Sequence, residues 1–445
     1  MTEPKDFKQL SPEEKLSARI DAWLAGENIV FDNVQAKAGF QERVGRLANA
    51  IRLKEPDRVP AVPILGIFPA YYAGISVKEA LYDYDKMASA NRKFVLDFDP
   101  DVNAMGTGFI PGKALEILDY QMVRWAGHGL KDNTPYQYLE AEYMREDEYD
   151  ELINDPSAFM LYKYLGRICK NLEPLKKLPS LLYTQEIATL ASNLPMIGNP
   201  ELQESLKALL AAGNEANRWW QVRNSCVQQS AAAGYPMLDG GYSKAPFDLI
   251  GDTLRGTIGV IKDMYRQPDK LIQAMDRLIP LVIKMGVEAV KWGGSPIISV
   301  PLHKGSDVFM SDEQYRKFYW PSLKALVIGL TREGLVPRLF AEGSFNDRLE
   351  LIQELPPACC LWYFDKTDMV RAKKILGKNA CIMGNVPASL MVTGTPEKVR
   401  KYCLDLIDNV SQGGGFILSA GSVLDEVKPE NLKMMLETAR TEGKY

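Results

Sequence analysis

The chain has 445 residues, 46% of them hydrophobic and 25% charged, an ordinary globular composition that leaves room for one large α/β domain or two smaller ones. A formal charge of −4 supplies no general attraction for nucleic acid or an anionic membrane, and no run of about 18 apolar residues exists to span one. Six cysteines with no C-x-x-C do not make a disulfide framework, and the polar start "MTEPKDFKQLSPEEKL" does not read as a signal peptide, so the expectation is a reduced, cytoplasmic protein.

Residues 1–58 read as a polar, helical extension ending in "KEPDRVP", where Pro56 and Pro60 stop the helix and introduce a strand. "VPAVPILG" (59–66) is short, β-branched and apolar, as a buried strand is. "SVKEALYDYDKMASANRKFVLDFDPDVNAMG" then reads as helix followed by strand. Residues 157–233 are mostly helical, with long Ala- and Leu-rich stretches and no Ser/Gly-rich linker. They are read as a helical insertion within one domain, 59–445.

The C-terminal half alternates. The strand "SPIISVPLH" leads to a helix whose start is marked by Ser311 and Gln314 at capping-box spacing and whose stop is Gly334. There follow "LVPRLFAEG", the helical "DRLELIQEL", the strand "CCLWYFD", the helix "MVRAKKILG" and the strand "ACIMGN". A helix opened by Thr395, Pro396 and Glu397, the strand "GGFILSAGS" and a closing helix complete the chain. At least seven strands alternating with helices, without a dinucleotide-type G-x-G-x-x-G, predict a closed (β/α)8 TIM-type barrel rather than an open sheet.

In such a barrel the chemistry sits at the C-terminal strand ends. Those ends carry His303, Glu342, Asp365 with Asp368 just beyond, Asn385 and Ser422, and Asp239 in "PMLDGG" is a further candidate. Each also has a structural reading. His303 could bond a loop carbonyl; Glu342 could accept backbone N–H groups or pair with Arg338 or Arg348. Asp365 could cap the next helix, as could Thr367 or Asp368, and Asn385 suits a tight turn. Only two histidines exist, His128 and His303, so any imidazole chemistry uses one of them; His128 lies in the Gly-flanked loop "WAGHGL". Tyr315, Phe318, Tyr319 and Trp320 have helical spacing and read as packing. Phe68, Tyr71 and Tyr72 follow the first strand and are read as the wall of a flat, apolar pocket.

"CIMGNVPASLMVTGTPEKVRKYC" followed by "GGGFILSAGSVLDEVKPENLKMM" resembles the C-terminal signature of the uroporphyrinogen decarboxylase superfamily, and "KEPDRVPAVPILG" resembles its first strand. The resemblance covers most of the chain from residue 45 onward and implies a TIM-type barrel. True decarboxylases of the superfamily carry an arginine-rich Met-Arg-Gln-Ala-Gly-Arg motif that holds a polycarboxylate substrate. This chain has "VPILGIFPAYYAG" there, without arginine. The other branch comprises corrinoid-dependent methyltransferases, many with a His-x-Cys and later Cys zinc site. Those positions fall on Phe340, Glu342 and Ser422, so the soft ligands are gone.

What the resemblance then implies is a methyl ether O-demethylase type of methyltransferase component. It would move a methyl group from a small O-methylated, in one version aromatic, donor to cobalt of a corrinoid on a partner protein. Glu342 and His303 would activate the leaving oxygen and Asp365 orient one of them. Donor contacts would come from Phe68, Tyr71, Tyr72, Asp239, Asn385, Ser422 and His128. Zinc stays open, with His303 and Glu342 as its ligands if bound, and so does the choice between monomer and homodimer. The alternatives are a decarboxylase acting on a different carboxylic acid, and a non-catalytic tetrapyrrole or corrinoid binding protein.

Overall fold

A computed structural model of the chain describes residues 4, 6–103, 105 and 109–445. Two helices, Pro12–Ala25 and Val34–Ile51, form the N-terminal extension. Ser11 opens the first with a reciprocal capping box to Glu14, and the Asn33 side chain accepts the Ala36 N–H at the start of the second. The second ends at Ile51, short of residue 58. Leu53 takes a left-handed backbone (φ 58°), and Arg46 reaches back to pair with Asp57 at 2.6 Å, so the chain turns before the prolines arrive. Trp23, Phe40, Val44 and Leu47 share one buried cluster with Val62, Ile297, Val336, Leu361 and Ile417, so the two helices close the N-terminal end of the barrel.

A small sheet unforeseen in the sequence follows: β1 (Val123–Ala126) lies between β2 (Gly129–Leu130) and β3 (Gln137–Tyr138). Its strands are too short to show a periodic pattern. The middle of the chain is helical as read, including Ile187–Ile197 and the 33-residue Pro200–Ala232.

Six parallel strands make the main sheet in chain order: β4 (Gly241–Tyr242), β5 (Ile297–Leu302), β6 (Val336–Ala341), β7 (Leu361–Phe364), β8 (Cys381–Val386) and β9 (Phe416–Ala420). Two short extended segments close it. Residues 60–62 join β9 through Leu418 N–H to Pro60 O (2.8 Å) and Val62 N–H to Leu418 O (2.9 Å). Residues 101–103 bridge the remaining gap, with Asp101 N–H on Ala61 O (3.4 Å) and Asn103 N–H on Pro236 O (2.8 Å). The result is the eight-membered barrel that the alternation implied. The segment 59–66 pairs only through isolated bridges because Pro60 and Pro63 have no N–H to donate. Of the second expected strand run, Ala104 and Gly106 lie outside the described residues.

Alternation along the strands decides what faces the lumen. Val336 and Phe340 belong to the lumen cluster, whereas Leu339 and Ala341 pack outward with the helices. Arg338, on the inward side, forms a bidentate pair with Asp239 (2.9 and 2.6 Å) and also donates to Ser299 Oγ (2.9 Å). The barrel's closing seam is held by another carboxylate. Asp101, 2% exposed, accepts from Arg46 (2.6 Å), from Arg58 (2.8 and 2.9 Å) and from the Ala61 N–H (2.7 Å).

Removing that charge leaves the largely buried Arg58 guanidinium without its carboxylate and Arg46 with Asp57 alone. Asp101→Asn is therefore expected to lower the unfolding free energy by about 3 kcal/mol in urea titration with unchanged circular dichroism in water. A loss below about 0.5 kcal/mol, the size of an ordinary surface effect, would show that the seam does not depend on it.

Candidate active site at the barrel mouth

Glu342, His303 and Asp365 continue the inward-facing series of β6, β5 and β7 one step past the strand ends, so strand parity alone brings them to one mouth. His303 Nε2 lies 3.7 Å from Glu342 Oε1. The Asp365 carboxylate accepts the Gly343 N–H at 3.0 Å, anchoring the backbone immediately after Glu342. Gly343 has φ 84°, a left-handed backbone that suits glycine and lets the chain turn off the strand there.

The structural readings of these residues are resolved by their neighbours. Arg338 is taken by Asp239, and Arg348 donates to Asp312 (3.2 Å) and the Met310 carbonyl (2.6 Å). Apart from His303, no ion pair or hydrogen bond holds the Glu342 carboxylate among the described residues; its side chain is 46% exposed. The cap of the helix Met369–Leu376 is Asp368, which accepts from Val370 and Arg371 N–H, leaving Asp365 free of that duty. Asn385 donates to the carbonyls of Asp365 (3.0 Å) and Thr367 (2.8 Å), bracing the loop after β7. With Ser422 and Asp365 it borders a cavity of about 830 Å³ beside the mouth.

The sequence reading missed the groups that set the state of His303. Its Nδ1 lies 2.6 Å from Asp252 Oδ2. Asp252 also receives the ammonium groups of Lys244 (2.5 Å) and Lys304 (3.1 Å), and Lys304 donates onward to Thr257 Oγ1 (2.7 Å). Asp248, fully buried, accepts the Lys304 N–H (2.9 Å), the His303 N–H (3.3 Å) and the Tyr319 hydroxyl (2.5 Å). Both carboxylates come from "PFDLIGDTL", where the helix Pro246–Asp248 passes into a widened turn, Leu249–Leu254. Two acids four residues apart in an otherwise apolar segment were the available signal.

Electrostatics follows from this arrangement. Burial alone would raise the Asp252 carboxyl, but the His303 bond and the Lys244 charge hold it well below the usual carboxylate range. Burial pushes Asp248 up, and the neighbouring Asp252 charge adds to it. For His303, desolvation opposes the cation, but the Asp252 bond and charge outweigh it and the imidazole is raised. Glu342 is raised by desolvation, which together with the negative Asp252 and Asp365 overcomes the opposing His303. The mouth thus holds two adjacent groups that keep their protons to higher pH than free side chains do.

The remaining candidates lie elsewhere. Asp239 sits deeper in the lumen, engaged by Arg338. Phe68, Tyr71 and Tyr72 form not a loop but a six-residue helix, Phe68–Ala73. Phe68 and Tyr71 line a cavity of about 350 Å³ with Asp425 and Val427. Tyr72 departs from the expected pocket wall: its ring packs on Phe98 (4.9 Å) and its hydroxyl donates to Asp97 (2.9 Å), toward the helix layer. His128 stacks on Trp125 (4.3 Å) in the turn between β1 and β2 and is not part of the His303 network.

A metal at the mouth would find His303 Nε2 and Glu342 as donors. Among the described residues no three His, Cys, Asp or Glu side chains are grouped to hold one, and the Lys244 ammonium lies 3.5 Å from His303 Nδ1. This donor set does not fit zinc. All six cysteines are free and buried, and among the described residues no helix is long and apolar enough to cross a membrane.

Comparison with known proteins adds three findings. The uroporphyrinogen decarboxylase (URO-D) family model matches residues 193–442, more than half of the chain. The uroporphyrinogen decarboxylase of Chlorobium phaeovibrioides is 29% identical over 188 residues, which cover 41% of this chain and 52% of that protein. Its counterpart in Pseudoalteromonas translucida is 24% identical over 218 residues, covering 46% and 59%. The chain spans about half the length of the curated relatives it matches. Among solved structures, a methyltransferase from Methanosarcina mazei shares the fold with a TM-score of 0.55 at 14% identity, over 89% of this chain and 97% of that one.

The presence of only two histidines makes the electrostatic reading directly measurable. In Asp252→Asn the His303 imidazole loses its carboxylate and is expected to titrate at least about one pH unit lower by NMR, with His128 as internal reference. An unmoved His303 would show that Asp252 does not set its charge.

Proposed function

The chain belongs to the uroporphyrinogen decarboxylase family, and from that premise we propose that it is a methyltransferase component that moves a methyl group from a small O-methylated donor to the cobalt of a corrinoid carried by a partner protein. The observation that carries this reading is the proton-holding pair His303–Glu342, open at the barrel mouth and backed by Asp252. A methyl ether needs such a group. Its oxygen leaves with the electron pair of the broken C–O bond and is a poor leaving group unless protonated as the bond breaks.

Substitutions relative to the family patterns support the same choice. A polycarboxylate porphyrin calls for free cations, yet the segment after the first strand has no arginine, and Lys244 and Lys304 are both engaged by Asp252. A thiol acceptor activated by zinc calls for a histidine and two cysteine ligands where Phe340, Glu342 and Ser422 stand. The fold shared with the Methanosarcina methyltransferase is compatible with this branch.

In this mechanism cobalt(I) of the partner's corrinoid is the nucleophile and second substrate. The donor oxygen lies against Glu342 and His303 Nε2. The proton passes to that oxygen from the Glu342 carboxyl or the His303 imidazolium, so the products are the alcohol or phenol and the methylated acceptor. Asp252 orients the imidazole through Nδ1 and stabilises its cationic form, while Asp365 holds the Glu342 backbone through Gly343. Glu342 is open to solvent, which leaves room for an acceptor presented by another protein.

The assay mixes the protein with a corrinoid protein from the same source, reduced to cobalt(I), and a panel of methoxylated donors, and follows the methyl-cobalt(III) spectrum. Glu342→Gln is expected to slow transfer by about 100- to 10,000-fold while leaving the melting temperature unchanged. A full rate in this variant would sink the assignment, and carbon dioxide release without corrinoid would move it to a decarboxylase. The pH profile carries a sign as well. The proton donor acts in its protonated form and both groups are raised, so transfer falls with rising pH, and does so at higher pH than free side chains would give. In Asp252→Asn the descending limb moves to lower pH.

A further inference from the structure

Tyr242 ends β4 opposite Ser299 of β5, and Ser299 lies opposite Arg338 of β6 and accepts from it at 2.9 Å. Paired residues of a parallel sheet share a face, so all three side chains point into the lumen. Gly241 takes the outward side, where a Cβ would fall 2.6 Å from that of Ala289 in the helix Pro268–Ala289. Tyr242 is nevertheless 46% exposed, and its hydroxyl has no hydrogen-bond partner among the described residues. A ring turned into a barrel and still open to water borders unfilled lumen. The inward residues of β5 show the same opening: Ile297 is buried, Ser299 and Pro301 are partly exposed, and His303 stands at the rim. From the level of Tyr242 to His303 is four residues, about 13 Å of strand, the length that one substituted ring with a contact at each end requires.

The walls of this space are flat and apolar. Pro301 lies opposite Phe340, which stacks on Tyr363 at 4.4 Å, and Ile64 and Val423 pack on the same cluster. Such walls suit an aromatic ring. The cations placed there are already answered, Arg338 by Asp239 and Lys244 and Lys304 by Asp252. A carboxylated ring would bring in a charge with no partner among the described residues, whereas a neutral hydroxyl would find Tyr242.

We propose that Tyr242 determines donor specificity by hydrogen-bonding the substituent across the ring from the methoxy group. The donor is then an uncharged aryl methyl ether bearing a phenolic hydroxyl, with its methoxy oxygen at His303 and Glu342. This rests on the methyl-transfer reading of the mouth and adds to it the class of donor. Enclosure by the barrel raises the Tyr242 hydroxyl, so it stays neutral at physiological pH and can both donate and accept.

Isothermal titration calorimetry on the full chain, with no corrinoid present, tests this with methoxybenzene, 4-methoxyphenol and 4-methoxybenzoate, which differ only at the para position. The phenol is expected to bind about 10-fold more tightly than methoxybenzene, and the benzoate more weakly than either. In Tyr242→Phe the preference for the phenol over methoxybenzene is expected to vanish. The melting temperature stays the same, because the lost hydroxyl had no partner in the fold. Equal binding of the phenol and methoxybenzene overturns the proposal, as does a benzoate that binds as tightly as the phenol. A preference that survives in Tyr242→Phe, or no binding of any of the three, overturns it too. None of these outcomes bears on methyl transfer from another donor, which the methyl-cobalt(III) spectrum reads separately. Conversely, a binding preference that holds while no donor supports transfer would remove the methyl-transfer reading and leave the ring site in place.

Discussion

A parallel barrel allows little freedom in which side chains meet at its mouth. Successive residues of a strand alternate between lumen and helix layer, so an inward residue at the base of a strand commits every second residue above it. Val336 against the N-terminal helices therefore implies Arg338, Phe340 and finally Glu342 on the lumen side. The register of β5 and β7 against β6 brings His303 and Asp365 to the same rim. The two N-terminal helices matter to the site for this reason: by filling the lumen from below they make the opposite end the accessible one.

The second constraint is that charge under protein must be matched. The mouth contains Asp248, Asp252, Lys244 and Lys304 within a few ångströms, and each carboxylate is answered by an ammonium, an imidazole, a hydroxyl or a backbone N–H. Asp252 is the centre of this set. The His303 bond and the Lys244 charge hold it well below the usual carboxylate range, and its negative charge in turn raises the imidazole. Glu342, outside that network, has no such cation of its own beyond His303 and is raised by desolvation. One arrangement thus separates a carboxylate held below the usual range from one raised above it.

Departures from family patterns acquire physical meaning in this setting. With Phe340 stacked on Tyr363 at 4.4 Å in the lumen, the position that matches the histidine of the zinc-binding pattern instead contributes packing. Arg338, the cation nearest below the mouth, is neutralised by Asp239 and supports the barrel from inside. Changes of this kind can redirect chemistry while the strand order stays the same, which is how one barrel hosts different reactions.

The order of strands and helices was legible in the sequence because it is written in neighbouring residues. The two-residue and helical periods, the capping box at Ser311, Pro396 at a helix start and the carboxylate after "LVPRLFA" are all local features. They were enough for the barrel and for Glu342, His303 and Asp365 at strand ends. Less was legible where pairing is short or distant. The strands β1–β3 are too brief for a pattern, and Tyr72 turned toward Phe98 because its six-residue helix rotated it away from the mouth. The partners of His303 lie about fifty residues upstream and meet it only once β4 and β5 are paired. The sequence by itself therefore determined the fold class and the place of Glu342, His303 and Asp365 at the rim. Only the tertiary structure decided their protonation, since that depends on burial and on charges that the chain brings together from separate strands.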